Sequence, residues 1–162
     1  MTTIAVTGHM DLTADSVLLV RAALDDLLKP HGGGDLIGIS CIAAGSDSLF
    51  AEAVLAVGGR LVVVLPSQDY REAKVKAHHA ETFDRLIDAA DEVRVMPHTL
   101  ANRQAYESAN RALLEKADRL VAVWNGEPPS GKGGGTADVV AEAKALGLPV
   151  DVVWPVGAAR RG

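Results

Sequence analysis

The sequence predicts a single doubly wound α/β domain, a mostly parallel six-stranded sheet with helices on both faces. Short β-rich segments alternate with longer amphipathic segments along nearly all of the 162 residues. Several short segments are apolar at successive positions, as in LVVVL at 61–65, which is typical of strands buried on both faces of a parallel sheet. Repeated strand–helix alternation implies right-handed crossovers, which place helices on both faces.

The strands are predicted from short runs rich in β-branched and aliphatic residues. Each run is too short for a helix of ordinary length, and polar residues or glycines bound most of them. The six predicted strands are residues 3–7, 36–42, 60–65, 92–96, 119–124 and 150–154.

The first helix is predicted from apolar residues at three- and four-residue spacing, which place them on one helical face. Thr13 is its expected N-cap, and Pro30 with the following glycines ends it. Four further helical stretches follow. The second helix starts near Ser46, and the third stretch covers residues 72–90 in one or two pieces. The fourth helix follows an Asn102 cap, and the last runs from Thr136 to about residue 146.

The composition of the chain limits the classes of function that are expected. Apolar residues make up 48% and charged residues 23% of the chain, with a net charge of −5, so we expect a globular domain over 1–157 and a loose tail over 158–162. The acidic balance argues against nucleic acid as a partner. No apolar run is long enough to cross a bilayer and no signal peptide is evident. The single cysteine, Cys41, fits a reducing compartment, so a cytoplasmic protein is expected.

The turns that follow the strands are where a ligand site is expected, because open α/β sheets bind ligands beyond the carboxyl ends of their strands. Three of these turns combine glycines with polar side chains. The candidate ligand-binding residues are Gly8, His9, Gly45, Ser46, Asp47, Asn125, Gly126, Lys132, Gly133, Gly134, Gly135 and Thr136.

The turn that ends in KGGGT at 132–136 is the strongest signal. Its glycines allow backbone amides to approach a ligand closely, and the helix that follows offers unpaired N–H groups at a positive dipole end. Lys132 adds a charge and Thr136 a hydroxyl, so phosphate is the expected guest. Lysine precedes the glycines, so this is not a Walker loop. A flexible loop with a threonine N-cap is the alternative.

The remaining candidates leave alternatives open. His9 either contacts a ligand or faces solvent, and Asp47 either binds a ligand or acts as a helix-start carboxylate. His78 and His79 are adjacent and make a poor chelate, and no histidine–carboxylate cluster has metal-site spacing. No motif requires a metal or a cofactor, and the Gly-x-Ser-x-Gly elbow of many hydrolases is absent.

Several motifs resemble those of the SLOG superfamily. This Rossmann-like group includes the LOG phosphoribohydrolases and nucleotide-sensing proteins of bacterial conflict systems. The similar segments are VTGH at 6–9, AAGSD at 43–47, ADRLVAVWNG at 117–126, GGGTAD at 133–138 and ALGLPV at 145–150. Nucleoside deoxyribosyltransferases share the last block. The resemblance implies a strand order 3-2-1-4-5-6, a nucleotide or nucleotide-derivative pocket, and a homodimer.

One position departs from the family pattern. LOG enzymes and deoxyribosyltransferases carry a glutamate three residues after the threonine, and this chain has Val139 there, next to Asp138. We therefore expect binding of a nucleotide or ribose-phosphate derivative without efficient turnover. The alternatives are an N-glycosidic hydrolase or transferase that uses Asp138, and a non-catalytic dimeric scaffold.

Overall fold

A computed structural model describes residues 1–129, 131 and 135–161. Its strands are β1 (Thr2–Gly8), β2 (Leu36–Ser40), β3 (Arg60–Leu65), β4 (Glu92–Val95), β5 (Arg119–Val123) and β6 (Val150–Val153). Its helices are α1 (Ala14–Leu28), α2 (Ser46–Ala56), α3 (Tyr70–Lys74), α4 (Ala77–Ala89), α5 (Arg103–Glu115) and α6 (Thr136–Ala145). A short 3₁₀ turn, Lys29–His31, follows α1. The stretch 72–90 thus forms parts of two helices.

The strands form one parallel sheet in the order β4-β3-β2-β1-β5-β6, which confirms the predicted fold class. Strands β3, β2 and β1 are neighbours in the predicted order, and β5 lies beside β6 as predicted. Strand β4 differs from the prediction, because it lies outside β3 instead of between β1 and β5. The sequence of β4 explains its place at the edge. Glu92, Val93 and Val95 are exposed there, whereas a strand beside β1 would be covered on both faces.

Alternate residues of the central strands enter different cores, which explains their continuous apolar runs. Ile4 and Val6 of β1 pack with α1 and α2, whereas Ala5 between them packs with α5 and α6. The α4 residues Phe83 and Leu86 extend the first layer over β3. The sheet is therefore covered on both faces, and its strand ends are left to form a site.

Two predicted helix caps are present as hydrogen bonds. The backbone N–H of Ser16 donates to Thr13 Oγ1 at 3.3 Å, and that of Ala105 donates to Asn102 Oδ1 at 3.0 Å. Each cap satisfies an N–H group that has no partner within its helix.

The C-terminal segment is not the loose tail that was expected over 158–162. The backbone N–H of Ala159 donates to Ser16 Oγ at 2.7 Å, that of Thr13 donates to Ala159 O at 3.1 Å, and Arg160 Nε donates to Asp11 Oδ1 at 2.8 Å. These bonds fasten the segment across the start of α1. Gly162 lies outside the described residues.

In the part of the chain that the structure describes, no helix is both long enough and apolar enough to cross a bilayer.

Candidate functional site

A cleft of about 620 Å³ opens at the carboxyl ends of the strands, near the point where the chain reverses its direction of winding between β1 and β5. Residues that follow β1, β2, β3 and β5 line it, together with the start of α6 and one face of α5. Of the nine candidate residues that the structure describes, five line this cleft: Gly8, His9, Asp47, Gly135 and Thr136.

Gly8 allows the start of α2 to lie against the end of β1. A Cβ atom on Gly8 would come within 2.5 Å of the Ser46 Cβ, a distance that real side chains do not tolerate. The Ser46 hydroxyl is buried and donates to the His9 carbonyl at 2.7 Å. Ser46 therefore joins two loops and does not reach the cleft.

Gly45 has a structural role as well. Its φ is +80°, and a Cβ there would lie 2.7 Å from the Met10 carbonyl oxygen. Two backbones thus meet where only glycine fits. Gly45 and Ser46 set the position of Asp47, which follows them on the first turn of α2 and faces the cleft.

His9 is buried and its ring is held in place. Its Nε2 lies 3.2 Å from the backbone N and 3.1 Å from Oδ1 of Asn125, so it accepts from the former or donates to the latter according to its tautomer. The Trp154 ring packs edge-on, with centroids 5.6 Å apart. Burial, and then the Arg160 charge, lower the pKa of His9 from 6.5, which favours the neutral ring at pH 7.

Asn125 and Gly126 shape the turn after β5. Asn125 Oδ1 accepts from the backbone N–H of Glu127 at 3.1 Å, and Gly126 has a φ of +87°. Neither residue lines the cleft, whereas Glu127 does. Trp124 Nε1 donates to the Glu127 carbonyl at 3.0 Å, which fastens the turn to the end of β5.

Asp47 is a carboxylate of the cleft whose pKa is strongly raised. Desolvation raises the pKa of its carboxyl to about 7, against a hydrogen bond with the Ala43 backbone that favours the ionised form. Among the described residues no lysine, arginine or histidine forms a salt bridge with it. Burial likewise raises the pKa of the neighbouring Cys41 thiol well above its ordinary value, so this cysteine stays neutral.

The glycine-rich segment is described only in part. Lys132, Gly133 and Gly134 lie outside the described residues. Gly135 and Thr136 line the cleft, and Gly135 rather than Thr136 is the N-cap position of α6. Asp138 Oδ2 accepts from the Gly135 backbone N–H at 3.1 Å, as expected of a helix-start carboxylate.

Val139, at the position of the family glutamate, is 1% exposed and packs in the core below α6. It is not among the residues that line the cleft. Asp138 lines both the cleft and a smaller groove between α5 and α6. The α6 helix therefore directs the Val139 side chain away from any ligand in the cleft.

Three cations at the cleft were missed by the sequence analysis. Lys74, Lys76 and Arg160 all line it, and all are exposed. Lys74 and Lys76 come after β3, a turn that carries no glycine-rich signal. Arg160 pairs with Asp11 at 2.8 Å and with Glu127 at 3.6 Å, contacts between distant parts of the chain. Only their position after a strand could have indicated the two lysines.

No group of three histidine, cysteine, aspartate or glutamate residues that could hold a metal ion occurs within the described parts of the chain. The cleft instead offers hydrogen-bond donors at the start of α6, cations at its rim, and the Asp47 carboxylate. This combination suits a polar organic ligand that has an anionic end.

The fold and the position of the cleft define a Rossmann-like protein. Among solved structures the chain is similar to DNA processing protein A from Streptococcus pneumoniae, with a TM-score of 0.70 and 16% identity over 97% of this chain and 52% of that one. It is similar to DNA processing protein A from Helicobacter pylori, with a TM-score of 0.68 and 15% identity over 98% and 68%. The chain spans about half the length of the first protein.

A third similar structure is the molybdenum cofactor carrier protein from Chlamydomonas reinhardtii, with a TM-score of 0.57 and 21% identity over 93% of this chain and 75% of that one. All three neighbours are under 25% identical to this chain, so the comparison confirms the Rossmann-like fold that the resemblance implied. No protein-family model and no curated protein sequence matches the chain.

One expectation about partners is wrong. Nucleic acid was excluded because the net charge is −5, yet the H. pylori neighbour has a single-stranded DNA binding mode. Net charge sums over the whole surface, whereas binding depends on the residues at one face. The acidic balance therefore does not exclude nucleic acid here.

Proposed function

We propose that this chain binds a nucleotide or a ribose-phosphate derivative in the cleft, with a phosphate at the N-terminus of α6. The observation that carries the proposal is the position of the cleft, at the carboxyl ends of β1 and β5 where the winding reverses. Thr136 opens α6 at this cleft, so the first-turn N–H groups and the threonine hydroxyl suit an anion.

The charges around the cleft also favour an anionic ligand with a polar body. Lys74, Lys76 and Arg160 line it and are exposed, so the rim of the cleft carries cations that attract an anionic ligand. The aromatic rings of Tyr106 and Trp124 line the same space. Rings of this kind pack well against a nucleobase, which has an apolar face and a polar edge.

Substitution of Lys132 tests the phosphate end of the proposal. We expect Lys132→Ala to weaken binding of AMP and GMP about tenfold or more, because a charge-assisted hydrogen bond contributes about 1.5–3 kcal/mol. Isothermal calorimetry measures the affinity. Lys144→Ala is the matched control, since Lys144 lies in the last turn of α6, away from the cleft. Equal affinities in the two variants would remove Lys132 from the site.

Single-stranded DNA is a second candidate ligand, favoured by the likeness to two DNA processing proteins and by the exposed cations of the cleft. It is tested by fluorescence anisotropy with a labelled oligonucleotide at several salt concentrations. Lys74→Ala with Lys76→Ala should reduce affinity and the salt slope. Lys29→Ala with Lys116→Ala removes the same charge outside the cleft and serves as control. Equal effects of the two pairs would indicate non-specific attraction.

We also propose that the protein is a cytoplasmic homodimer. An exposed apolar patch supports the dimer. Leu18 and Leu19 of α1 are 73% and 37% exposed, and the fully exposed Val156 lies beside Gly157, whose position is close to Leu19. Burial of these side chains against a second copy would remove apolar surface from water.

A further inference from the structure

The cleft has two chemically different ends. Thr136 and the start of α6 follow β5, whereas Asp47 and the start of α2 follow β2, and β1 lies between these strands. The two helices pack on opposite faces of the sheet, and their starts meet the cleft at different strands. A nucleotide whose phosphate lies at α6 therefore extends its base, the far end of the molecule, towards Asp47.

The surroundings of Asp47 suit a base. Tyr70, Tyr106 and Cys41 line this end of the cleft, and the two tyrosine rings contact each other edge to face at 6.4 Å between centroids. Tyr70 is 6% exposed and so is fixed in place. Aromatic and sulfur groups offer contact area to a flat heterocycle. Lys74 and Lys76 also line the cleft, but among the described residues no cation forms a salt bridge with Asp47.

Asp47 has acceptor capacity that the protein does not use. An ionised carboxylate has about four lone-pair sites, and the hydrogen bond that we find for it comes from the Ala43 backbone. Ser40 Oγ donates to the Asp47 carbonyl at 3.0 Å, which fixes the backbone rather than the carboxylate. Among the described residues no other side chain donates to this carboxylate, so it can accept from a ligand that brings donors.

We propose that Asp47 is the residue that selects the base, and that the preferred base is guanine. This inference rests on the proposed nucleotide function and adds the identity of the base. Guanine presents two neighbouring donors, N1–H and the 2-amino group, which match the two oxygens of a carboxylate. Adenine and cytosine present one amino group beside a ring acceptor, which an ionised carboxylate repels.

Because Asp47 titrates, the affinity for guanine nucleotides depends on pH. The pKa of Asp47 is raised to about 7, so the acceptor-only form predominates above pH 7, and affinity for GMP rises as pH increases from 6 to 8. The other titratable groups around this end of the cleft are Cys41, Tyr70, Tyr106, His9, Lys74 and Lys76. The phosphate of GMP also titrates in this range. A variant that lacks only the Asp47 charge separates these contributions.

The test is calorimetric titration of the full chain with GMP, IMP and AMP at pH 8. IMP keeps N1–H and lacks the 2-amino group, so we expect affinity in the order GMP, IMP, AMP, with GMP about tenfold tighter than AMP. Asp47→Asn replaces an acceptor oxygen with a donor amide that faces guanine donors. It should abolish this preference and flatten the pH dependence. Asp88→Asn, an exposed carboxylate on α4, should preserve both.

The outcomes separate this inference from the function on which it rests. Equal affinity of the wild-type protein for GMP and AMP, or an unchanged preference in Asp47→Asn, overturns guanine selection and leaves nucleotide binding intact. Absence of binding to all three nucleotides overturns both. The comparison of GMP with AMP on the wild-type protein needs no substitution, so it tests guanine selection even if Asp47→Asn is poorly folded.

Discussion

Two adjacent residues of α6 illustrate how one step along a helix separates a site from the core. Asp138 lies at the cleft and accepts a hydrogen bond from the Gly135 backbone, whereas Val139 is 1% exposed and packs under the helix. Successive helical side chains differ in direction by about 100°. A glutamate at 139 would therefore need a different helix position to reach a ligand, so Val139→Glu would bury a carboxylate instead of restoring catalysis.

We predict that the protein releases ribose 5-phosphate from nucleoside monophosphates slowly or not at all. N-glycosidic cleavage needs a carboxylate beside the developing positive charge, and loss of one such electrostatic group costs about 10²- to 10³-fold in rate. Asp138 is engaged in capping α6. Product release is measured over a panel of nucleotides for the wild type and for Asp138→Asn, which keeps a capping acceptor. Robust turnover that this substitution abolishes would identify Asp138 as the catalyst.

At the level of single residues, the sequence located part of the site and could not supply the rest. His9 and Asp47 were candidates because they follow strands, and both line the cleft. Gly45 and Ser46 share that position in the sequence but hold loops together, because their direction depends on contacts with Met10 and His9. Arg160 was missed because its place depends on how the C-terminal segment docks onto Asp11, which no local pattern encodes.

At the scale of the elements, the start of α2 depends on one glycine. Gly45 precedes the first residue of α2, and its φ of +80° places it against the Met10 carbonyl oxygen. Two costs therefore oppose a side chain there: strain in the left-handed backbone region and direct collision with a backbone atom. The second cost is specific to this position and concerns the loop that carries His9.

We predict that Gly45→Ala destabilises the protein by about 3 kcal/mol or more, whereas Gly58→Ala costs about 1 kcal/mol. Gly58 has the same φ of +80° but nothing within 4 Å of the added Cβ, so it isolates the backbone strain. Chemical denaturation gives the free energy of unfolding of both variants. Equal losses would show that the Met10 loop moves aside at little cost, contrary to the tight contact described here.

The existence of each strand was predictable, while the place of one strand in the sheet was not. Apolar runs identify buried strands because both faces of a parallel sheet are covered, and all six were found within two residues of their observed ends. The position of β4 depends on the edge of the sheet at which the chain adds its next strand, and the apolar run itself does not specify that edge. The charged residues of its Glu-Val-Arg-Val sequence are the local sign of an edge.

For the whole molecule we predict a two-fold symmetric dimer, formed mostly by helices on one side of the sheet. Light scattering at micromolar concentration should give about twice the chain mass of 16.9 kDa. Leu18→Glu places a charge in the exposed patch on α1 and should shift the protein towards monomer. Glu81→Gln on α4, also exposed, is a control. A wild-type mass near that of one chain would contradict the dimer.

The pairing of β1 with β5 has a consequence for how the protein is made. Ile4 pairs with Arg119, so four strands emerge from the ribosome before the second partner of β1 exists. During that interval β1, whose central residues Ile4, Ala5 and Val6 are apolar, is the bare edge of a growing sheet. Such an edge recruits other strands. Nascent chains of this protein therefore need protection by chaperones or rapid completion, and His9, at the end of β1, reaches its final surroundings only when Asn125 has been synthesised.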